Sequence, residues 1–250
     1  MNLLVTAGNT LAPIDQVRGL TNVFTGRTGA AVALRAHDRG HRVVLLTSRP
    51  DAVAALRPDA AKLGERWEVH GYSAFEELHR LMERRVRAGG CDAVIHSAAV
   101  SDYLTAGVYA PAEGTCFFPE DAAWSGPADG PPRLADRAAA KVRSDEPELW
   151  LRLVRALKLI DRVRPDWGFR GLLVKFKLEV GIDDRRLLEI AEPSRVFSGA
   201  NLMVANTLEG AASHAYLGPL DGGYQRVGRD ELPDRLLDAL EALRRESGHG

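Results

Sequence analysis

The densest set of anion-binding groups lies in the first thirty residues. Leu3-Leu4-Val5 is a short apolar run, followed by Thr6-Ala7-Gly8-Asn9-Thr10. Pro13-Ile14-Asp15, Val17-Arg18, Thr21-Asn22 and Thr25-Gly26-Arg27-Thr28-Gly29 come next, and Ala30 to Leu34 opens a helical pattern. The order predicted is buried strand, small-residue loop, helix N-terminus. Such a terminus offers unpaired N–H groups and about half a positive charge. Gly26 and Gly29 would let a ligand approach the backbone, and Thr25 and Thr28 add hydroxyls. No G-x-G-x-x-G follows the first strand, so the dinucleotide fingerprint is absent. The same glycines would also serve a plain tight turn.

Other chemistry-bearing residues are sparser. Asp102 follows the apolar run Ala93-Val94-Ile95-His96-Ser97-Ala98. Residue type alone leaves it as a cap for the next turn or as a ligand contact. Lys141-Val142-Arg143-Ser144 closes a Gly- and Pro-rich stretch over 104–140 with no clean period. A loop that long is either functional or disordered. The 7 histidines are scattered without metal-ligand spacing, so no metal ligands are assigned, and His96 reads as a strand-end core residue. Cys91 and Cys116 lie outside any C-x-x-C and read as free thiols of a reducing compartment.

The elements that must position these groups alternate. Strands are predicted at Leu3-Leu4-Val5 and near 41–47, 67–70, 93–98, 171–179 and 201–207. Helices are predicted after Gly29, over 51–66 with a break at Pro58, over 75–88, over 183–198 with an interruption at Pro193, and over 232–243, while propensity alone allows one helix from Glu148 to Val163. Residues 215–227 read as a hairpin turning at Asp221-Gly222-Gly223, and 244–250 as a polar tail. Alternation of this kind predicts a Rossmann-like, mostly parallel α/β sheet with helices on both faces, plus a long flap and a C-terminal hairpin and helix. Ligands on such sheets sit beyond the C-terminal strand ends.

With 250 residues, 45% apolar and 27% charged, the chain fits one large domain or two small ones. A net charge of −1 gives no general attraction to nucleic acid or membrane. No apolar run approaches the roughly 20 residues that span a bilayer, and no secretory leader pattern opens the chain. A cytoplasmic location is the expectation.

The pattern T-A-G-N-T-x-x-P-I-D-x-V-R-x-x-T-N-x-x-T-G-x-x-G resembles the opening of phosphopantothenoylcysteine synthetase, the ligase that joins cysteine to 4′-phosphopantothenate in coenzyme A biosynthesis. Ala98-Ala99-Val100-Ser101-Asp102-Tyr103 is similar to its A-A-V-x-D-Y signature, residues 172–179 and 201–207 resemble two of its strands, and the resemblance implies a strand near 149–155 followed by a helix near 157–163. The resemblance implies a single synthetase domain over 1–250 with a mobile flap at about 104–144, in a stand-alone form lacking the flavin-dependent decarboxylase domain.

It implies CTP or ATP as co-substrate with Mg²⁺, an acyl-nucleotide intermediate, and a homodimer. Asn22 and Lys141 take the catalytic positions. Gly8, Thr25, Gly26, Gly29, Ser97, Ala98, Asp102 and Phe176 fall at nucleotide positions, and Arg18, Asn22 and Ala99 at substrate positions. Lys175 stands where the family usually has a small residue and would crowd or reach the ligand. Ser144, Ser194, Ser198 and Thr207 also depart from the pattern, the two middle ones near the usual phosphate-binding lysines. Two other readings stay open: a relative that binds nucleotide or pantothenate without catalysis, and an NAD(P)-dependent oxidoreductase, which lacks here its Y-x-x-x-K pair.

Overall fold

A computed structural model describes residues 1–247. The chain forms two compact units. The first holds Met1–Thr10, Val23–Val100 and the residues from Lys158 onward; the second holds Leu11–Asn22 and Ser101–Leu157.

The first unit contains β1 (Asn2–Ala7), β4 (Arg42–Thr47), β5 (Trp67–Gly71), β6 (Ala93–His96), β12 (Leu172–Glu179), β13 (Leu202–Thr207), β14 (His214–Leu220) and β15 (Gly223–Gly228). They form one sheet in the order β15-β14-β13-β12-β6-β1-β4-β5. From β13 to β5 every pairing is parallel, and the β14–β15 hairpin adds two antiparallel strands. Continuous apolar runs explain the central strands: Leu3-Leu4-Val5 and Ala93-Val94-Ile95 are fully enclosed, as parallel strands covered on both faces must be.

Period-2 alternation divides the side chains between faces. Leu3, Val5, Ile95, Val174 and Val204 pack with Ala30, Ala33 and Leu34 of α1 (Arg27–Asp38) and with Leu236 and Leu240 of α6 (Leu232–Ser247). On the other face Leu187 and Ala191 of α5 (Asp184–Phe197) pack on Met203 and Ala205. The short α2 (Pro50–Leu56), α3 (Phe75–Arg87) and α4 (Leu159–Arg162) complete the crossovers. Helix α3 buries the stripe Phe75, Leu78, Met82 and Val86 predicted from its spacing. The mostly parallel α/β sheet expected from the alternation is what forms.

Several elements differ from the expectation. Helix α5 runs through Pro193 without a break. Helix α6 continues to Ser247 through most of the expected polar tail, and 248–250 lie outside the described residues. Among the described residues no helix is long and apolar enough to cross a membrane.

The second unit overturns the loop reading of 104–140. It holds β2 (Leu11–Pro13), β3 (Gly19–Thr21), β7 (Tyr103–Pro111), β8 (Cys116–Phe118), β9 (Ala123–Ser125), β10 (Leu134–Asp136) and β11 (Trp150–Arg155). Strands β10, β7 and β11 form an antiparallel sheet in that order, while β2–β3 and β8–β9 are hairpins. Phe117, Trp124 and Trp150 pack ring against ring at centroid separations of 4.4–5.1 Å. That aromatic cluster supplies apolar burial that the Gly- and Pro-rich composition conceals.

Candidate functional site

The strand-to-helix turn has the conformation its glycines require. Gly26, at the N-cap of α1, has φ +74°, and a Cβ there would lie 2.8 Å from the Gly8 nitrogen and 2.9 Å from its Cα. Gly8 has φ +89°, and its own Cβ would strike the Ser48 hydroxyl. Both positions therefore need left-handed backbone and have no room for a side chain. A Cβ on Gly29 would come within 2.7 Å of the Ala7 Cβ and 3.1 Å of Ser97 Oγ, so Gly29 lets α1 lie against the ends of β1 and β6. The neighbouring loops are tied together. The Ala99 N–H donates to the Gly8 carbonyl at 2.8 Å, and the Asn9 N–H donates to Ser48 Oγ at 2.9 Å.

Beyond the C-terminal ends of β1, β6, β12 and β13 these segments enclose a cavity of about 530 Å³. That is within the roughly 300–1,000 Å³ typical of small-molecule sites. Gly8, Thr25, Gly26, Gly29, Ser97, Ala98, Ala99 and Phe176 all line it, so eight predicted residues from four separate stretches meet on one surface. Its wall also holds Phe24, Arg27, Thr28, Lys177, Leu178, Asn206, Ala211, Ala212, Arg229 and Asp230.

The wall is electropositive on the α1 side. No side chain caps the helix start, which leaves its first N–H groups directed outward. Arg229 donates a hydrogen bond from Nη2 to Thr28 Oγ1, and partial burial lowers its pKa. Lys177 pairs with Glu179 at 2.7 Å. Neither Arg229 nor Asp230 is signalled by any local motif; the turn between β15 and α6 brings them here.

Lys175 has a different role from the one expected. It is buried and does not line the cavity. Its Nζ donates to Asp161 Oδ1 at 3.3 Å, the Ser194 carbonyl at 3.0 Å and Ser198 Oγ at 3.2 Å. Adjacent residues of a strand point to opposite faces, so Phe176 on the cavity side puts Lys175 on the α5 side. There the ammonium meets the carbonyl end of α5, a favourable place for a cation. Burial lowers its pKa and Asp161 opposes that shift. Ser198 is itself buried in this cluster, and Arg195 forks onto Glu192, which removes both from any open phosphate site. Thr207 is buried and accepts the Gly210 N–H at 3.1 Å.

His96 behaves as the core residue expected. It pairs in register with Thr6 and Lys175, its Nδ1 lies 2.9 Å from Thr6 Oγ1, and burial first, then the Lys175 charge, lowers its pKa to about 4. Cys91 and Cys116 are free, and burial raises the Cys91 thiol to about 11. Among the described residues no group of three His, Cys, Asp or Glu side chains could hold a metal ion.

Arg18, Asn22, Asp102 and Lys141 belong to the second unit. Asp102 is exposed and its carbonyl accepts the Ala156 N–H at 2.8 Å. Lys141 is exposed on a tethered peptide. Asp15 Oδ2 accepts the Val142 N–H at 3.0 Å, Arg18 Nη2 donates to the Val142 carbonyl at 2.7 Å, and the Gln16 N–H donates to the Ala140 carbonyl at 3.0 Å. Asp15 also accepts the Arg18 guanidinium at 2.7 Å and the N–H groups of Val17 and Arg18. The Arg18 bond, aided by these N–H donors, holds the Asp15 carboxyl well below the usual range.

Residues 1–110 match the family described as DNA/pantothenate metabolism flavoprotein C-terminal domain. The coenzyme A biosynthesis bifunctional protein CoaBC of Thermococcus kodakarensis is 28% identical over 246 residues, or 96% of this chain. The chain spans about half that curated relative, 51% of its length. The crystal structure of the DNA/pantothenate metabolism flavoprotein from Streptococcus pneumoniae aligns with a TM-score of 0.74 at 26% identity, covering 97% of this chain and 99% of its own. A Cab2 mutant in complex with phosphopantothenate-cysteine shares the fold, with a TM-score of 0.70 at 15% identity over 98% of this chain and 88% of its own. The resemblance read from the opening turn thus holds: the first 110 residues carry the DNA/pantothenate metabolism flavoprotein C-terminal domain pattern, and the fold of its solved relatives extends over nearly the whole chain.

Proposed function

We propose that this chain is a phosphopantothenate–cysteine ligase. In this reading the phosphopantothenate carboxylate attacks the α-phosphate of CTP or ATP, releasing pyrophosphate and giving an acyl-nucleotide. The cysteine amine then displaces the nucleoside monophosphate to form the amide of 4′-phosphopantothenoylcysteine. The observation that carries it is the cavity in which the Gly26 turn, the Ser97–Ala99 strand end and Phe176 meet. Chemistry of this kind asks a protein mainly to orient reactants and neutralise charge.

Within the cavity the first-turn N–H groups of α1 hold phosphate oxygens, and Gly26 and Gly29 keep that approach open. Phe176, half-buried against the core, offers a face for the base. Mg²⁺ accompanies the triphosphate, with phosphate oxygens and water as its main ligands. Asn22 and Lys141 are assigned the catalytic roles of the resemblance: an uncharged amide donor and an ammonium that neutralises developing charge. Asp102 and Arg18 are assigned to nucleotide and substrate on the same basis. A cytoplasmic homodimer completes the proposal.

Mass spectrometry of reactions with 4′-phosphopantothenate, Mg²⁺ and CTP or ATP, with and without cysteine, tests it. The expected result is phosphopantothenoylcysteine only when cysteine is present, slowed on the order of 10²–10³-fold in Lys141→Ala. Absence of both product and acyl-nucleotide with either triphosphate would overturn the ligase and favour a relative that only binds.

A further inference from the structure

Arg229 is a charged group that neither the sequence motifs nor the proposed mechanism uses. It sits between β15 and α6, lines the cavity and reaches Thr28, the second residue of α1. Its backbone N–H donates to the Ser213 carbonyl at 2.9 Å, fixing the residue against the loop that carries Ala211 and Ala212. Among the described residues no carboxylate forms an ion pair with its guanidinium, and Thr28 Oγ1 is its one side-chain partner there. Most of its five donors are therefore not taken up by the protein and are open to a ligand in the cavity. The first turn of α1 beside it adds positive potential in the same place.

We infer that Arg229 binds the phosphate chain of the nucleotide co-substrate, clamping it against the first turn of α1. The inference rests on the proposed function for the identity of the ligand and adds a contact from a different part of the chain. Thr28 accepts one guanidinium N–H and so orients the remaining donors toward the cavity. The loop hydrogen bond holds the residue before ligand arrives, so little ordering is left to the binding step.

Calorimetric titration of the whole chain with ATP, CTP, AMP and CMP in Mg²⁺ tests this, using wild type, Arg229→Gln and Arg229→Lys. Arg229→Gln is expected to weaken the preferred triphosphate roughly 10- to 100-fold, the size of a lost charge-assisted contact. The corresponding monophosphate should lose much less, and Arg229→Lys should recover part of the difference. A brace that merely positions α1 would weaken both nucleotides alike, so an equal loss overturns the inference. Unchanged triphosphate affinity in Arg229→Gln also overturns it, and if that variant is poorly folded, an Arg229→Lys that loses triphosphate and monophosphate affinity alike does so. Should wild type bind no triphosphate, the nucleotide reading itself falls. Should wild type bind and form product while the variants match it, only Arg229 falls.

Discussion

The turn at Gly26 and the segment from Ser101 to Leu157 are both rich in small residues, and the smallness makes room for different things in each. At Gly8 and Gly26 it permits positive φ and backbone-to-backbone approach, which brings backbone rather than side chains to the cavity wall. In the second segment Gly107 lies inside β7, where a Cβ would strike the Tyr109 ring, so the missing side chain makes room for an aromatic one. Composition reads alike in the two places because it records what is absent, not what fills the space.

The sharpest way to break the comparison is to put a methyl where the first region cannot accept one. Gly26→Ala combines a left-handed backbone with a Cβ 2.8 Å from the Gly8 nitrogen, and backbone neighbours cannot rotate away. A loss of about 4 kcal/mol is expected from strain and overpacking together. Chemical denaturation should show it, with any nucleotide-induced rise in melting temperature abolished. A variant as stable as wild type would mean the turn tolerates a side chain, and the glycine would be no more informative than those of 101–157.

Acid should separate the two regions by different groups in different windows. His96 in the parallel sheet has a folded pKa lowered to about 4 against about 6.5 when unfolded. Below about 6.5 the unfolded chain therefore binds the extra proton first. Stability from this group is complete above that pH and declines toward pH 4, by up to about 3 kcal/mol. Urea unfolding of wild type and His96→Gln at intervals from pH 7 to 4 checks it: the decline should be smaller in the variant by that amount. Parallel curves would show that His96 is protonated without cost.

The parallel half of the fold was legible because its signals are local. Enclosed runs such as Leu3-Leu4-Val5 and Ala93-Val94-Ile95 mark strands, and the stripe Phe75, Leu78, Met82, Val86 marks a helix. That order places a ligand only beyond the strand ends; the family resemblance singles out Ser97, Ala98, Ala99 and Phe176. What stayed hidden depends on pairing at a distance. β7 finds partners in β10 and β11, with a register shift between Arg152 and Leu153, and no periodicity announces either. Lys175 is an intermediate case: parity with Phe176 already places them on opposite faces, but only the fold shows that the carbonyl end of α5 waits on the far side. Arg229 reaches the cavity through the β14–β15 hairpin and gives no local sign of it.

Asp15 gives the finest test, because it ties the short β2–β3 hairpin to the peptide that carries Lys141. Its side chain is enclosed and accepts five N–H hydrogen bonds, so Asp15→Asn would turn one acceptor into a donor facing donors. The expected change is local: faster hydrogen exchange at the Val17, Arg18 and Val142 amides, with little change in the sheet of the first unit. Low pH should weaken the same tether in wild type. The folded carboxyl titrates well below its unfolded value near 4, so the tether is complete above about pH 4 and weakens as pH falls below it. In wild type this loosening follows the His96 decline, so only Asp15→Asn at neutral pH frees the Lys141 peptide while the parallel sheet is at full strength. If the variant instead exchanged uniformly throughout, Asp15 would be supporting the whole molecule, and the contrast between a globally packed first unit and a locally tethered second one would not stand.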